Sequence, residues 1–270
     1  LSPDKAKELI DKDLRNKDVL FPYLNGEDLN SRSDLSASRW VINFHDWPIG
    51  RAREYDDCFA TVEREVKPFR QQNKNKQRRE IWWRFTRPTS ELYRAIARLD
   101  KVLVIAQTSS TQIPVLVENG QVFDQKLIVF SDASWANLSF RSSAMQYWWT
   151  VRNGSTMRAD TVYTPSDCCE TLTQPELTSR MGEVGEELHE FRRGVMLARQ
   201  LGLTKLYNLV HDPVEADEEI RRLREIHVEV DNAVAEAYGW TDLDLGHGFH
   251  ETRQGRRFTI DPAVQVEVLD

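Results

Sequence analysis

Residues 153–170 read NGSTMRADTVYTPSDCCE, a stretch that crowds hydroxyls, an arginine, carboxylates and an adjacent cysteine pair into one segment. Such a set suits catalysis, metal binding, or hydrogen-bonded reading of another molecule. Cys168 and Cys169 make a poor zinc corner: adjacent side chains diverge, the Cys-x-x-Cys spacing is missing, and no second pair exists elsewhere. They read as apolar packing. A Ser/His/Asp triad has no Gly-x-Ser-x-Gly elbow to stand on. His247 and His250 in HGFH, near Asp242 and Asp244, are metal-ligand types without a helical i, i+4 pair. His227 sits on an apolar seam, where a hydrogen-bonded core histidine is expected.

Two other stretches carry sharper chemistry. Asp124-Gln125-Lys126, with Glu118 six residues earlier, has the acid-x-Lys pattern by which metal-dependent nucleases hold Mg²⁺ and orient water. The competing reading is a set of strand-edge charges, since no Pro-Asp pair stands at the right distance. REVKPFRQQNKNKQRREIWWRFTRP interleaves Arg78, Arg79, Arg84 and Arg87 with Trp82, Trp83 and Phe85. Cations that contact phosphates beside rings and guanidinium forks that contact bases are what nucleic-acid binders use. A solvated charge run leading into core aromatics is the alternative.

The elements that would position these residues are mixed. RWVINFHDWP alternates Trp40, Ile42 and Phe44 and reads as a strand, while Ala52, Tyr55, Phe59, Val62 and Val66 follow a helical stripe. KVLVIAQ, IPVLV and KLIVF are β-branched runs of a small sheet, and Asn119-Gly120 is the dipeptide of a tight hairpin. Residues 131–153 read as one helix capped by Ser131 or Asp132 and closed by Gly154, so the opening stretch projects from its end. After Pro175 two helices carry heptad seams, Leu177 to Ala198 and Ile220 to Ala237, and FHETRQGRRFTI reads as a hairpin before a helix opened by Asp261 and Pro262.

Composition sets the frame. The 270 residues are 40% hydrophobic with three cysteines, enough for a sizeable core and too few thiols for a disulfide framework, which predicts a reducing cytoplasm. No apolar run approaches the roughly 20 residues of a membrane span. The net charge of −7 hides an asymmetry: residues 171–270 carry 11 Lys/Arg against 20 Asp/Glu, while residues 61–90 carry nine against three. A start at Leu1 without Met and an end inside DPAVQVEVLD predict a piece of a longer protein. The expected architecture is α+β (mixed α/β), a small-sheet domain over 1–175 and a helical region over 176–270.

Six segments, KDVLFPYLNGEDLNS, RWVINFHDWP, VLVIAQTSS, VFDQKLIVF, YTPSD and LTKLYNLVHDP…LREIHVEVDNAVAEAYGW, give the chain a resemblance to a known family. In order and over nearly the whole length, it resembles the C-terminal part of bacterial adenine-specific DNA methyltransferases, including the type IIG and type IIL (MmeI-like) restriction-modification fusions. The resemblance implies a target recognition domain for double-stranded DNA, followed by helices that brace the methyltransferase domain of the same parent chain. It also implies that S-adenosylmethionine and the flipped adenine bind to that upstream domain. No catalytic motif of the family occurs here: there is no Pro-Pro pair, and the one Gly-x-Gly, Gly246 to Gly248, follows no strand-like run.

In MmeI-like enzymes the segment after a Trp-rich helix supplies side chains that meet base edges. The matching residues run from Gly154 through Thr156, Arg158 and Asp160 to Tyr163 and Thr164. Arg158 suits guanine O6 and N7, Asp160 suits a cytosine amino group, and one bidentate contact is worth about 1–3 kcal/mol of discrimination. Ser109, Thr111 and Arg152 join Thr156, Arg158 and Asp160 as expected base or phosphate contacts, Lys126 is assigned to a phosphate or base, and Arg78, Arg79, Arg84 and Arg87 to phosphates. The chain departs from the family where Ser155 replaces an arginine, where Phe123-Asp124-Gln125-Lys126 replaces Phe-Ser-His-Lys, and where TLTQPE replaces Phe-Pro-Trp-Pro. The sequence also admits two rival functions: a metal-dependent nuclease at Asp124 and Lys126, and a protein interaction module built on the heptad helices.

Overall fold

The computed structural model describes residues 1–86, 89–157 and 160–269. It is an α+β structure that divides into two compact units, the first made of Leu1–Leu24, Ala37–Arg98 and Gly120–Phe123, the second of Asn25–Ser36, Leu99–Asn119 and Asp124–Asp270. Among the described residues no helix is long and apolar enough to cross a membrane.

In the first unit, α1 (Pro3–Lys12) starts where the Ser2 side chain accepts from the Lys5 N–H and Pro3 presets the first turn. Strand β1 (Leu20–Leu24) sits between β2 (Arg39–Ile42), antiparallel, and β6 (Val122–Phe123), parallel. The helical stripe foreseen from Ala52 to Val66 breaks into α3 (Ile49–Ala52) and α4 (Asp56–Glu65), because the chain turns at Tyr55, whose hydroxyl donates to Asp18 at 2.9 Å. Ala52, Tyr55, Phe59 and Val62 are nevertheless buried together, with Leu9, Phe44 and Trp82. Three short helices follow: α5 (Lys67–Gln71), α6 (Lys76–Glu80) and α7 (Ser90–Ile96).

The second unit holds α2 (Gly26–Ser31), the sheet order β5-β3-β7 and the sheet order β4-β9-β8. Its strands are β3 (Lys101–Ala106), β4 (Thr108–Ser109), β5 (Val115–Glu118), β7 (Leu127–Phe130), β8 (Ser155–Met157) and β9 (Asp160–Val162). The three β-branched runs pair as one antiparallel sheet, with Leu103 opposite both Leu116 and Phe130. Asn119-Gly120 is not the tip of a hairpin. Gly120 does take the left-handed backbone such a turn needs (φ +78°), yet β5 pairs with β3 while β6 pairs with β1.

The helix expected over 131–153 is two, α8 (Trp135–Ser142) and α9 (Ala144–Asn153), each opened by a serine, Ser134 and Ser143, whose side chain accepts from a backbone N–H three residues on. A short α10 (Pro165–Cys168) precedes α11 (Ser179–Arg199), α12 (Leu203–Val210) and α13 (Glu218–Ala237). The change of composition at Pro175 is not a break in packing. Helix α11 lies against α8 so closely that a Cβ on Gly185 would stand 2.1 Å from the Trp135 carbonyl oxygen, and Ser139 donates to the Met181 carbonyl at 2.6 Å. The seam is wider than a heptad pair, adding Gly185, His189 and Arg192 to Met181, Val184, Leu188 and Val195, because α11 contacts both α8 and α13. The hairpin β10 (Gly248–Thr252) and β11 (Gly255–Thr259) and helix α14 (Pro262–Leu269) complete the chain, with Asp261 capping the Ala263 N–H at 2.7 Å.

Candidate functional site

The basic stretch of the first unit becomes the helical hairpin α5–α6. Its base is aromatic: Trp82 is buried against Phe59 with ring centres 5.5 Å apart, and the Trp83 indole N–H donates to the Trp47 carbonyl at 2.9 Å. Arg84 Nε donates to the same carbonyl at 2.9 Å, and Arg79 Nη1 donates to the carbonyls of Asn73 at 2.7 Å and Lys74 at 3.0 Å. These two guanidinium groups, expected on phosphates, are thus engaged in holding the hairpin. Arg78 is different: it is exposed, and among the described residues only its backbone N–H is used, by the Asn75 cap at 3.3 Å. Arg70 Nη1 donates to Thr86 Oγ1 at 2.7 Å, and burial followed by the charge of Arg78 lowers its proton affinity below the ordinary value. Arg87 lies outside the described residues.

In the second unit, the opening stretch forms the β8–β9 hairpin. Gly154 is required where α9 hands over to β8, since a Cβ there would lie 2.6 Å from the Thr150 carbonyl oxygen and 2.8 Å from that of Val162. Met157 pairs with Asp160 and Thr156 with Thr161, and β9 is fixed in turn to β4 through Thr108 and Ser109. One face of this ribbon is buried, at Thr161, while Ser155, Thr156 and Met157 are exposed and Asp160 is half-buried. Arg158 and Ala159 lie outside the described residues.

Several residues expected at the interface are instead interior. Ser109 and Thr111 are buried with their hydroxyls 3.1 Å apart, and the Thr111 N–H donates to Ser109 Oγ at 3.2 Å, so both are occupied in tying the loop after β4. Gln112, in a left-handed backbone (φ +49°), locks the same loop by donating to the carbonyls of Ser109 and Thr161 at 3.2 and 2.7 Å. Tyr163 is buried edge-on to Phe130, ring centres 6.3 Å apart, and burial pushes its phenol well above the usual range. It anchors the chain just after β9 in a cluster with Ile105 and Cys168. Arg152 is exposed on α9 and donates to the Leu269 carbonyl at 2.9 Å.

Lys126 is exposed, and its N–H donates to Asp124 Oδ1 at 2.8 Å in a tight turn before β7. Among the described residues no three His, Cys, Asp or Glu side chains converge as a metal-holding group. His247 lies 2.9 Å from Asp231, and the His250 ring 3.0 Å from the Gly246 carbonyl oxygen. Cys58 and Cys168 are buried, and burial first, then Asp57 and Asp13, pushes the Cys58 thiol up to about 12. Gly246 and Gly248 lead into a hairpin strand rather than a strand-turn-helix, so these residues do not fit a nucleotide-type cofactor.

Two exposed apolar side chains escaped the sequence reading, Met157 at 56% and Phe69 at 74% exposure. For Phe69 the spacing pointed inward: it continues the Ala52–Val66 stripe three residues on, but α4 ends at Glu65 and α5 starts at Lys67, so the register is lost and the ring stands among cations.

Comparison with known proteins places this geometry. No curated protein matches the chain. Its fold matches a solved structure of the type IIL restriction-modification enzyme MmeI in complex with DNA, with a TM-score of 0.62 and 17% identity over 90% of this chain. The chain spans 31% of the length of that protein. The family model of the MmeI target recognition domain matches residues 1–176. The chain therefore belongs to the MmeI target recognition domain family.

Proposed function

We propose that this chain is the sequence-reading part of a type IIL restriction-modification enzyme, and that the β8–β9 ribbon presents its side chains to base edges in duplex DNA. The observation that carries this reading is the ribbon itself: three exposed side chains on a strand paired to β9, whose Thr161 is buried and which is fixed in turn to β4, within the segment matched by the family model. Rigid support of that kind lets a side chain discriminate, because a contact misplaced by an ångström loses its bidentate geometry. Asp160 shares one ribbon face with Met157 and meets base edges, Thr156 lies exposed on the face it shares with Thr161 and meets the backbone, and Arg158 stands between them in the sequence. Asp160 accepts from a cytosine amino group, and Arg158 donates to guanine O6 and N7. Arg78 and Lys126 sit on phosphates and set register, whereas Arg79, Arg84, Ser109, Thr111 and Tyr163 act by holding the surface in shape.

Base flipping and transfer of a methyl group from S-adenosylmethionine to adenine belong to an upstream domain of the parent chain. The helical region after Pro175 braces that domain, since its balance of 11 Lys/Arg against 20 Asp/Glu over residues 171–270 is unsuited to phosphates. The test is to map modified sites in cells carrying the intact enzyme with Arg158→Ala or Asp160→Ala. A changed or relaxed base at one position of the recognised sequence is expected. An unchanged sequence at full activity overturns the assignment of the ribbon. Specific cutting of DNA by these residues alone with Mg²⁺ would revive the nuclease reading at Asp124.

A further inference from the structure

The α5–α6 hairpin holds a second feature suited to DNA besides its charge. Between Val66 and Arg79 the chain carries Lys67, Arg70, Lys74, Lys76, Arg78 and Arg79 and no acid. Lys67 and Lys76 have carboxylate partners, Glu63 at 2.7 Å and Glu80 at 3.6 Å, and Arg79 is held by carbonyls. That leaves Lys74 and Arg78 exposed, and among the described residues neither is in an ion pair. Arg70 and Arg78 feel each other's charge, an arrangement that is costly without an anion between or beside them.

Amid these cations Phe69 holds its ring 74% exposed. Single exposed apolar residues are commonplace on monomers and by themselves mean little. A phenyl ring on a hairpin whose free cations attract phosphates is another matter. Proteins that bind the minor groove use such apolar side chains to enter between base pairs while neighbouring cations grip the backbone. The ring has the right company: Arg70 is its neighbour in α5, and Asn75, Lys74 and Arg78 belong to the connection and to α6.

We propose that Phe69 is a wedge: with Lys74 and Arg78 seated on phosphates, its ring enters the minor groove and unstacks a base step of duplex DNA. This rests on the reading of the chain as a DNA-recognition part, and adds to it a contact that is independent of base identity. A wedge of this kind holds the duplex bent at the step it enters.

The experiment uses the intact protein and duplexes carrying its recognised sequence, with 2-aminopurine stepped through the site and its flanks. Fluorescence is expected to rise at one step with the wild-type protein and to stay flat with Phe69→Ala. Affinity of Phe69→Ala should fall roughly 10-fold, within the range of stacking energies measured per base. The slope of log affinity against log salt should not change, since no charge is lost, whereas Arg78→Ala should flatten it by about 0.9. Phe69→Trp should keep both the fluorescence signal and the affinity. If Phe69→Ala binds and fluoresces like wild type while Arg78→Ala shows its salt effect, the wedge is overturned and DNA recognition stands. If wild type shows no salt-dependent binding, both fall together.

Discussion

The exposed Arg78 of the first unit and the buried arginines of the second do opposite work. In the first unit Arg78 stands in solvent on a hairpin whose local charge is positive. In the second, the more acidic by composition, Arg192 is 2% exposed, Arg224 and Arg257 7%, and Arg141 9%. Arg224 alone donates to the carbonyls of Val210, Leu209, Asp212 and Glu215 at 2.8 to 3.0 Å, closing the end of α12 and the loop to α13. Arg257 donates to Ser110 and Tyr147 at 3.0 and 2.7 Å, and Arg192 to Tyr207 and Pro114 at 3.2 and 3.0 Å. A guanidinium carries five donors in a rigid fork, so inside a protein it is a bracket for stranded carbonyls. Net charge counts cations without saying which of them face outward.

The largest test of this contrast is Arg224→Ala. Removing the fork strands four carbonyl oxygens, and a loss of roughly 3–5 kcal/mol is expected, as for breaking other buried charged networks. Urea denaturation measures it. A loss below about 1 kcal/mol, the scale of an exposed pair, would mean that the interior arginines are ornamental and the contrast between the units false.

A smaller effect sharpens the picture of the second unit's interior. His189 is buried against Trp135, ring centres 5.2 Å apart, and burial first, then Arg192, lowers its pKa to about 4. His211 and His227 are lowered to about 3, mainly by burial. The unfolded chain, with an ordinary histidine near 6.5, therefore binds protons more readily than the folded one between about pH 6.5 and 4. Stability is full above pH 6.5 and falls as pH drops through that window. The contribution of His189 reaches about 2 kcal/mol at pH 5, from roughly 1.4 kcal/mol per pH unit. His189→Phe should flatten the fall in the denaturation midpoint from pH 7 to 5 by that amount. An unchanged pH profile would place the proton uptake elsewhere.

Much of this frame was legible in the sequence, and the exceptions share a cause. Runs of β-branched residues at 101–106, 115–118 and 127–130 locate their strands because side-chain shape acts locally. Which strand each one pairs with is non-local, and Asn119-Gly120 supplied a correct turn conformation with the wrong partner. Ser143 could not be seen to cut a helix, since a serine caps only where the chain is already free to turn. At the site, Gly154 and the exposed Thr156 were readable from the run after the tryptophans. The burial of Ser109, Thr111 and Tyr163 was not, because a hydroxyl in sequence looks the same whether it meets solvent or its neighbour at 3.1 Å.

The smallest expected effect on folding is also the most discriminating. Among the described residues Arg78 donates no side-chain hydrogen bond, and its backbone N–H stays with Asn75 whatever side chain it carries. Arg78→Ala should therefore leave unfolding free energy within about 0.5 kcal/mol of wild type, the usual range for a surface position. Arg79→Ala, next to it, should cost about 1–3 kcal/mol, because the carbonyls of Asn73 and Lys74 lose their donor. If both variants weaken DNA binding, only Arg79→Ala should do so together with a lowered denaturation midpoint. The pair thus separates a cation that meets phosphate from one that shapes the hairpin. Equal midpoints for the two variants would show that Arg79 is as free to turn outward as Arg78, and the first unit would then present one more cation than its geometry assigns.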